Sequence, residues 1–597
     1  METTTTGIRN NRLLRNTFFA QTWAYAAASF TSVLGTLVDG IIIGQFLGID
    51  SVSAFGIASP LMVTFAVAGA VISVGARTRY VRLIAGGQRR EAQSVFSLAC
   101  LLSLLLAAGM MVLVFLFATP LTRLLGAAGN AAALLPKARA YILGIAAGLP
   151  ARNLVWTLWV FMPVDNDRGR LMIASAATTA SNIILDLLVV FVLRGDTLEM
   201  GLATSLSHLV TLLILLLHFR RKDILLRFSL RDLPWRETGG ILRQGLPSGL
   251  YRVGNTLRSA VLNHALALVA SSAAIAAYSV QRQADSFFNI LFLGMADTLA
   301  VLAGMLMSEG DSPSLRRVSS LALRSSVILS AGLLAAGWFL APQFCMLFIR
   351  GNPEALRISV RAVRCYLLSL PLYGINHLYL NYCQGIGMSR LCSCASVASS
   401  VVFPILSMWA MLPRFGADAV WLSFPATQIL MLVFFAAVIL VKNRKKGIRG
   451  DVWRHILLLT DDIDVPEEDR MDRSIASMAE VDDLSRAVWR FCEAHGCDER
   501  RRYLLSLSVE EMAGNVIEHG FAKDRRRHSV DVLILKQGED YILRIRDDCA
   551  AFDPVKRLAL HADDDPARHI GLRMVVSTAK EVDYIFILKL NNLLVKL

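Results

Sequence analysis

Long apolar segments follow one another up to about residue 441 and are separated by short polar breaks. A helix of about 20 apolar residues is long enough to cross the hydrocarbon core of a bilayer. The pattern therefore predicts twelve membrane-spanning helices. They are placed near residues 16–43, 52–76, 94–119, 138–162, 171–193, 200–218, 240–268, 273–303, 319–342, 360–385, 391–412 and 418–441.

The pattern changes after Val441, where charged residues become frequent. Residues 443–473 are predicted to form a charged linker. Residues 474–597 alternate between strand-like and amphipathic helical segments, with strands at 530–535, 541–546 and 582–588. The predicted fold class is an all-α polytopic membrane protein, followed by a C-terminal α/β domain.

Composition supports membrane insertion, since 55% of the residues are hydrophobic and the mean hydropathy is +0.51. The net charge of +14 is concentrated in the polar breaks, which indicates membrane topology rather than nucleic-acid binding. The basic breaks are 77–90, 168–170, 220–227, 316–317, 390 and 442–446. The positive-inside rule then predicts a multi-pass protein of the plasma membrane with both termini in the cytoplasm, and an even number of spans agrees.

An internal repeat divides the membrane region. Residues 169–190 align with residues 389–410 at an offset of 220, which implies two six-helix bundles in the same order. We place the two lobes at 12–218 and 240–442, joined by a cytoplasmic linker at 219–239. Repeated halves of this kind place a substrate site between them in transporters.

The stretch SNIILDLLVVFVL carries Asn182 and Asp186 at positions i and i+4, on one helix face. A charged side chain at the bilayer centre costs roughly 2.5–3.5 kcal/mol, which favours a functional role over an inert polar contact between helices. The repeat pairs Asn182 with Val402 and Asp186 with Leu406. Because those partners are apolar, the fold itself does not require the carboxylate, and we expect ion coupling in the first lobe.

Four segments resemble the MATE (multidrug and toxin extrusion) family of antiporters. They are LVDGIIIGQFLGIDSVSAFGIASPL (37–61), DNDRGRLMIASAATTASNIILDLLVVFVL (165–193), GLATSLSHL (201–209) and GLPSGLYRVGNTLRSAVLNHALA (245–267). The resemblance implies export of small organic, often cationic, compounds in exchange for protons or Na⁺. It also implies an ion-coupling site formed by Asp39, Asn182, Asp186 and Thr204.

The C-terminal region resembles the GHKL-type ATPase fold, in particular the anti-sigma-factor serine kinases. The segments that carry the resemblance are LSLSVEEMAGNVIEHGF (505–521), YILRIRDDCAAFDP (541–554) and HIGLRMVVSTAKEVDY (569–584). The resemblance implies ATP and Mg²⁺ as ligands. Glu511 would act as the base, Asn515 would bind Mg²⁺, and Asp547 and Gly571 would contact the nucleotide.

Two departures from that pattern weaken the expectation of ATP binding. Cys549 and His569 stand where the family has glycines, which allow close backbone approach to a nucleotide. A degenerate domain that only binds a regulatory protein partner is the alternative, and the sequence leaves open whether phosphotransfer persists. The P-loop pattern G-x-x-x-x-G-K-[ST] is absent from 474–597, so ATP is not expected to power transport.

Three functions compete at this point. The first is an ion-coupled antiporter of the bilayer that carries a cytoplasmic regulatory domain. The second is a membrane sensor or signalling protein that acts through a serine-kinase-like domain. The third is a lipid-linked oligosaccharide flippase with a related fold, against which the acidic residues of the first lobe argue.

Overall fold

The computed structural model describes two compact units. The described residues are 12–42, 46, 49–125, 133–221, 224–229, 231, 233–269, 272–349, 353–447, 451–459, 465–521, 527–560 and 570–597. One unit consists of Ala20–Met305 and Ser319–Lys442. The other joins the described parts of Met1–Phe19 and Leu306–Val318 to Asn443–Leu597.

The membrane region is helical throughout its described length, as the sequence predicts. Its helices are α1 (Arg12–Ile42), α2 (Ile49–Ala85), α3 (Arg89–Leu124), α4 (Leu135–Ala147), α5 (Leu149–Phe161), α6 (Arg168–Leu188), α7 (Thr197–Leu216), α8 (Thr238–Val269), α9 (Ser272–Ser308), α10 (Ser312–Met346), α11 (Pro353–Gly385), α12 (Ser389–Val397), α13 (Phe403–Phe415) and α14 (Asp418–Lys446). Short π-helical segments extend α6 at Val189–Leu193 and join α12 to α13 at Ala398–Val402.

Nine helical segments among the described residues are long and apolar enough to cross a membrane. The three other predicted positions are occupied by α1, by α8 and by the pair α4 and α5. The predicted span at 138–162 is divided in two, because the chain breaks at Gly148 and Pro150 lies in the first turn of the next helix. The predicted fold class of the membrane region is confirmed.

One turn geometry recurs four times in the described chain and reveals the repeat. Each turn contains a residue with positive φ (Gly87, Asn166, Gly310 or Gly387), and the residue after it immediately precedes the following helix. In each turn the N–H of that next residue donates to a carbonyl five positions earlier, as in the Schellman motif. The turns are separated by 223 residues between Gly87 and Gly310, and by 221 between Asn166 and Gly387.

The second spacing corrects the predicted alignment of the two halves. The offset of 220, which pairs Asp186 with Leu406, is wrong by one residue. An offset of 221 pairs Asp186 with Ser407 and Asn182 with Phe403. Burial agrees, because Asp186 and Ser407 are buried whereas Leu406 is 57% exposed. The equivalents in the second half are still uncharged, so the conclusion drawn from the repeat is unchanged.

The two lobes meet along α2 and α8 through glycines. A Cβ atom on Gly245 would lie 1.7 Å from the carbonyl oxygen of Val71, so the two backbones touch directly. Small residues allow this approach between membrane helices. Near the same end of α2, Arg77 Nη2 lies 2.8 Å from Asp297 Oδ1 of α9. The sequence assigned Arg77 to a polar break, but its side chain is only 4% exposed, so it is a buried contact between the lobes.

The C-terminal unit contains an antiparallel sheet with helices on one face. Its elements are α15 (Val452–Leu457), β1 (Arg470–Ile475), α16 (Met478–Ala494), α17 (Glu499–Asn515), β2 (Val530–Gln537), β3 (Asp540–Asp547), α18 (Pro554–Leu560), α19 (Ile570–Thr578), β4 (Glu581–Ile587) and β5 (Leu590–Lys596). The strand order is β1-β2-β3-β5-β4. Apolar residues of α16, α17 and α19 pack against the sheet and form its core.

Three of these strands were predicted and are confirmed as β2, β3 and β4. The sequence missed β1 and β5, which read RMDRSI and LNNLLVK. Neither stretch shows a clear apolar alternation, which is the signal used to recognise a strand. β1 begins at Arg470, inside the segment predicted to be a linker.

The α2–α8 contact predicts that a single methyl group at Gly245 destabilises the membrane region. The added Cβ of Gly245→Ala would overlap a backbone oxygen, and overpacking of this kind costs about 1–3 kcal/mol. Thermal unfolding of the purified full-length protein in detergent should show a lower Tm. Gly332→Ala is the matched control, because a Cβ at Gly332 meets no atom within 4 Å. Equal Tm values for the two variants would contradict the proposed packing.

Candidate functional site

A chain of polar side chains links α6 to α7 inside the first lobe. Asn182 Nδ2 donates to Asp186 Oδ2 at 3.0 Å. Ser207 Oγ donates to Asn182 Oδ1 at 3.1 Å. All three side chains are buried. Asn182 therefore orients the Asp186 carboxylate and is itself held by the neighbouring helix.

Thr204 and Ser207 lie three residues apart on α7. Thr204 Oγ1 donates to the carbonyl oxygen of Met200 at 3.2 Å, within its own helix. Ser207, which the sequence analysis did not select, makes the contact to Asn182 instead. Its spacing from Thr204 is one helical turn, so the signal was a second hydroxyl on the same helix face.

Asp39 lies in α1, and its side chain is outside the part of the structure that is described. The backbone position is informative, because α1 runs beside α6 in the same direction. Ser175 Oγ donates to the carbonyl of Ala28, and Thr179 Oγ1 donates to the carbonyl of Thr31, both at 2.9 Å. Asp39 follows Thr31 by eight residues and Asp186 follows Thr179 by seven. At a rise of about 1.5 Å per residue, the two positions are at nearly the same level.

Apolar side chains surround this polar chain. Ile42, Val189, Met200 and Ala203 are buried in one cluster, with Leu185 packed against it. A carboxylate in such low-dielectric surroundings gains from binding a proton or a cation. The geometry of the first lobe is therefore suited to reversible charge neutralisation.

A cavity of about 330 Å³ lies in the C-terminal unit, between the end of α17 and strands β3 and β5. Its size falls within the usual range of small-molecule sites, about 300–1,000 Å³. Asn515 and Asp547 both line it, together with His519, Phe552 and Tyr584. The structure thus brings two of the sequence-predicted nucleotide residues to one cavity.

Asp547 is 3% exposed and is held in place by hydrogen bonds. Its Oδ1 accepts from Cys549 N at 2.9 Å and from Asn591 Nδ2 at 2.6 Å. Tyr584 donates its hydroxyl to Asn591 Oδ1 and accepts from Phe552 N at 2.9 Å. Burial raises the pKa of Asp547 to about 6. Sequence reasoning missed Asn591 because β5 itself was not recognised.

Glu511 and Gly571 lie against each other. A Cβ atom on Gly571 would lie 2.2 Å from Glu511 Oε1, so any larger residue at 571 would displace that carboxylate. Glycine at this position thus permits a close approach between α17 and α19.

The structure describes only one of the two positions, 549 and 569, at which this chain has another residue in place of the family's glycine. Cys549 is not among the described residues with a positive φ, so its backbone needs no glycine. Its side chain lines the cavity without filling it. The backbone conformation at this position therefore does not require glycine, whereas the Cys549 side chain occupies space at the cavity that a glycine would leave open. His569, the second departure, lies outside the described residues.

The raised pKa of Asp547 predicts a pH-dependent stability of the C-terminal unit. A folded-state pKa of about 6, against an ordinary value of 3.8, gives a stabilisation that is complete below pH 3.8. It is lost as the pH rises through about 6, and its full size is roughly 3 kcal/mol. Asp547→Asn lacks this dependence, so the stability of the wild type should fall relative to the variant between pH 4 and pH 7.

The measurement is hydrogen–deuterium exchange of the β3 amides in the full-length protein, with both proteins compared at each pH. Asp540→Asn, at the other end of β3, is a control of opposite sign. Hydrogen bonds from Lys580 and Lys596 lower the pKa of Asp540 to about 2, so its stabilisation is lost at low pH. A constant difference between wild type and Asp547→Asn at all pH values would contradict the assignment.

Comparison with known proteins finds a matching family for each of the two parts of the chain. The sequence model of the MatE family matches residues 24–188 and 247–409, and that of the histidine kinase-like ATPase domain matches residues 475–586. Multidrug export protein MepA of Staphylococcus saprophyticus is 25% identical over 424 residues, which cover 70% of this chain and 91% of that protein. MepA of a Staphylococcus aureus strain is 23% identical over 427 residues, which cover 70% and 93%.

Solved structures show the same fold over the membrane region. An outward-facing structure of a multidrug resistance MATE family transporter has a TM-score of 0.67 and 22% identity, covering 74% of this chain and all of the other. A MATE transporter of Vibrio cholerae has a TM-score of 0.68 and 18% identity, covering 75% and 99%. The two segments matched by the MatE model together cover more than half of the chain. This membrane protein therefore belongs to the MatE family and carries a histidine kinase-like ATPase domain at its C-terminal end.

Proposed function

We propose that this protein is an ion-coupled antiporter that exports small organic compounds, and that Asp39, Asn182, Asp186 and Thr204 form its coupling site. The observation that carries the proposal is the Asp186 carboxylate, which is buried among apolar side chains and oriented by Asn182. The MepA relatives are described as multidrug export proteins, which supports export of drugs or similar compounds, often cations.

The mechanism follows from the cost of charge in the membrane. When Asp186 is ionised, the first lobe favours an arrangement that gives the carboxylate polar partners. Binding of a proton or Na⁺ removes that requirement and allows α1, α6 and α7 to repack. Because α2 and α8 contact each other backbone to backbone, repacking in one lobe is transmitted to the other. Substrate is released on one side while the ion enters from the same side.

Two other functions of this fold remain to be tested against antiport. A lipid-linked oligosaccharide flippase needs no proton or cation site in the first lobe, so the buried Asp186 favours the antiporter. A membrane sensor acting through the ATPase-like domain predicts phosphotransfer to a protein and no ion-driven efflux. Ion-driven transport in vesicles separates these functions.

Replacement of the Asp186 carboxylate should abolish ion-driven export. Asp186→Asn keeps the size and hydrogen-bonding capacity of the side chain but cannot take up a proton or pair with Na⁺. We expect efflux from proteoliposomes to fall to near background, and Asp39→Asn to have the same effect. Proton and sodium gradients imposed separately, over a panel of organic compounds, identify the coupling ion.

Asp418→Asn is the matched control for efflux. Asp418 pairs with Arg361 at the surface, with both side chains more than a third exposed, and exposed pairs contribute little to stability. Its efflux should equal that of the wild type. Full ion-driven efflux by the Asp186→Asn variant would contradict the proposed coupling site.

We propose that the C-terminal domain binds ATP as a regulator of transport. Bound ATP with Mg²⁺ would supply a transferable phosphoryl group. Asp547 would accept a hydrogen bond from the adenine amino group, Asn515 would be the Mg²⁺ ligand, and Gly571 would lie near the nucleotide. Glu511 would act as the base or position water if hydrolysis or phosphotransfer occurs. The fixed carboxylate of Asp547 and the volume of its cavity support the fit to an adenine nucleotide.

We further propose that the protein lies in the plasma membrane with both termini in the cytoplasm, where a regulatory protein partner would meet the C-terminal domain. The basic turn that contains Arg316 and Arg317 belongs to the same compact unit as that domain. The turn and the domain are thus on one side of the membrane, and the positive-inside rule assigns that side to the cytoplasm.

Removal of the Asp547 carboxylate should weaken ATP binding. Asp547→Asn presents an amide in place of an ionised acceptor, and a hydrogen bond to a charged group is worth about 1.5–3 kcal/mol, or roughly 10- to 100-fold in affinity. Radiolabelled ATP binding to the full-length protein with Mg²⁺ measures the loss. Asp540→Asn, at the other end of the same strand and outside the cavity lining, should bind normally. Absence of ATP binding by the wild type would leave the domain only a role in protein binding.

A further inference from the structure

Two of the four repeated turns present a pair of carboxylates to a single basic side chain. In the first, Asp165 and Asp167 flank Asn166, whose φ is 63°. His218 lies between them, with Nε2 2.7 Å from Asp165 Oδ2 and Nδ1 2.8 Å from Asp167 Oδ2. Here the cation-forming group comes from the end of α7, and the pair stabilises the lobe that contains it.

In the second acidic turn, Glu309 and Asp311 flank Gly310, whose φ is 69°. The group between them is Arg546, with Nη2 2.5 Å from Glu309 Oε2 and Nη1 3.3 Å from Asp311 Oδ2. The three side chains are 3%, 1% and 5% exposed. This turn therefore has the same arrangement as the first, but its cation is supplied by β3 of the C-terminal domain.

The acids are not required by the turn itself. The same positions hold Gly86 and Gln88 in one of the remaining turns, and Ile386 and Met388 in the other. All four turns make the same backbone hydrogen bonds. Asp167 and Asp311 each accept a backbone N–H at the start of the following helix, and in both acidic turns the carboxylate pair also holds a basic side chain from another element.

The face of the sheet opposite the helices receives this turn. Arg544 Nη1 also approaches Glu309 Oε1, at 3.9 Å. A Cβ atom on Gly310 would lie 3.8 Å from atoms of Leu535 and Gln537, so the turn rests on β2 as well. Leu306–Val318 is accordingly part of the same compact unit as the domain.

Arg546 and Asp547 are neighbours on β3 and point to opposite faces of the sheet. Arg546 faces the turn, whereas Asp547 faces the cavity. On the adjacent strand β5, two consecutive asparagines likewise face opposite sides of the sheet. Asn592 Oδ1 accepts from Arg546 Nε at 2.8 Å, and Asn591 Nδ2 donates to Asp547 Oδ1 at 2.6 Å. Any shift of β3 against β5 at this point alters both contacts.

We infer that the outer face of the sheet is a docking surface for the α9–α10 turn, clamped by Glu309 and Asp311 on Arg546, and that this clamp is coupled to nucleotide in the Asp547 cavity. The inference rests on the proposed binding of ATP. Coupling of this kind is reciprocal: if the clamp changes the affinity for ATP, then ATP changes the stability of the clamp by the same factor. The partner of the surface is a segment of the same chain, the α9–α10 turn within Leu306–Val318.

The test uses the full-length protein and two measurements, ATP affinity with Mg²⁺ and hydrogen–deuterium exchange of residues 306–318. In the double variant Glu309→Gln/Asp311→Asn, Arg546 loses both carboxylates, and the turn should exchange faster. We expect its ATP dissociation constant to differ from that of the wild type by about five-fold or more, the lower range of allosteric coupling. In the wild type, saturating ATP should change the exchange of the turn.

A further variant distinguishes loss of coupling from misfolding. Removing only the acids leaves Arg546 buried without its partners, which is strongly destabilising, whereas replacing a whole buried ion pair is often tolerated. Glu309→Gln/Asp311→Asn combined with Arg546→Met should therefore fold, bind ATP and show no effect of ATP on the turn. Asp483→Asn is the control, because its exposed pair with Arg486 lies on α16, which packs on the opposite face of the sheet.

The outcomes separate the two proposals. If wild type and double variant bind ATP equally and ATP leaves the exchange of the turn unchanged, the coupling is wrong and ATP binding stands. If the wild type binds no ATP, both the proposed nucleotide site and the coupling fail. A five-fold or larger difference in affinity, together with an ATP-dependent change in the turn, establishes the coupling.

Discussion

Buried charge is the constraint on which the rest of this molecule depends. A carboxylate removed from water must be protonated, paired or surrounded by donors, and each buried acid meets this requirement differently. Asp186 is held by an amide from its own helix. Asp547 accepts a backbone N–H and an amide. Glu309 and Asp311 share a guanidinium. The manner of compensation differs between the two sites proposed to bind a ligand and the Arg546 contact, which holds two elements together.

We propose that the two carboxylates that accept hydrogen bonds from amides, Asp186 and Asp547, are the ones that exchange ligands. An amide orients a carboxylate without neutralising it, so a proton, a cation or an amino group still finds a favourable position there. A guanidinium neutralises its partners permanently at any physiological pH, because it does not lose its proton. Asp186 and Asp547 are thus suited to transient partners, whereas the Arg546 clamp is suited to a lasting contact that is altered by movement of the backbone.

Much of the fold was predictable because apolar runs of bilayer length and alternating strands leave clear patterns. Three strands and the helical membrane region were correct. β1 and β5 were missed because each strand has polar residues on both faces, one of which is covered by chain distant in sequence. The repeat offset was wrong by one residue, since small apolar residues align almost equally well in neighbouring registers. Hydrogen bonds between elements, such as Ser207 to Asn182, have no sequence signature that specifies the partner.

Charge pairs between residues far apart in the chain are the contacts that the sequence predicts least well. Arg77 reads as a surface residue in a basic stretch, yet it lies buried against Asp297, 220 residues away. Arg546 reads as an ordinary basic residue of a strand, yet its partners are more than 200 residues earlier in the chain. The sequence around each arginine is typical of a polar surface, but each side chain is buried. Only the packing of distant elements shows whether such an arginine is exposed or buried.

The Schellman turn at Gly310 also changes how the chain should be divided. By sequence, transporter and ATPase-like domain separate after about residue 442, and each carries its own family pattern. By folding, thirteen residues of the transporter, Leu306–Val318, belong with the C-terminal unit. A protein cut at 442 would expose two acids that have lost their cation, and the released domain would present a bare arginine on an open sheet face. The boundary between the two family matches therefore differs from the boundary between the two compact units, because the α9–α10 turn belongs to the transporter by sequence and to the C-terminal unit by its contacts.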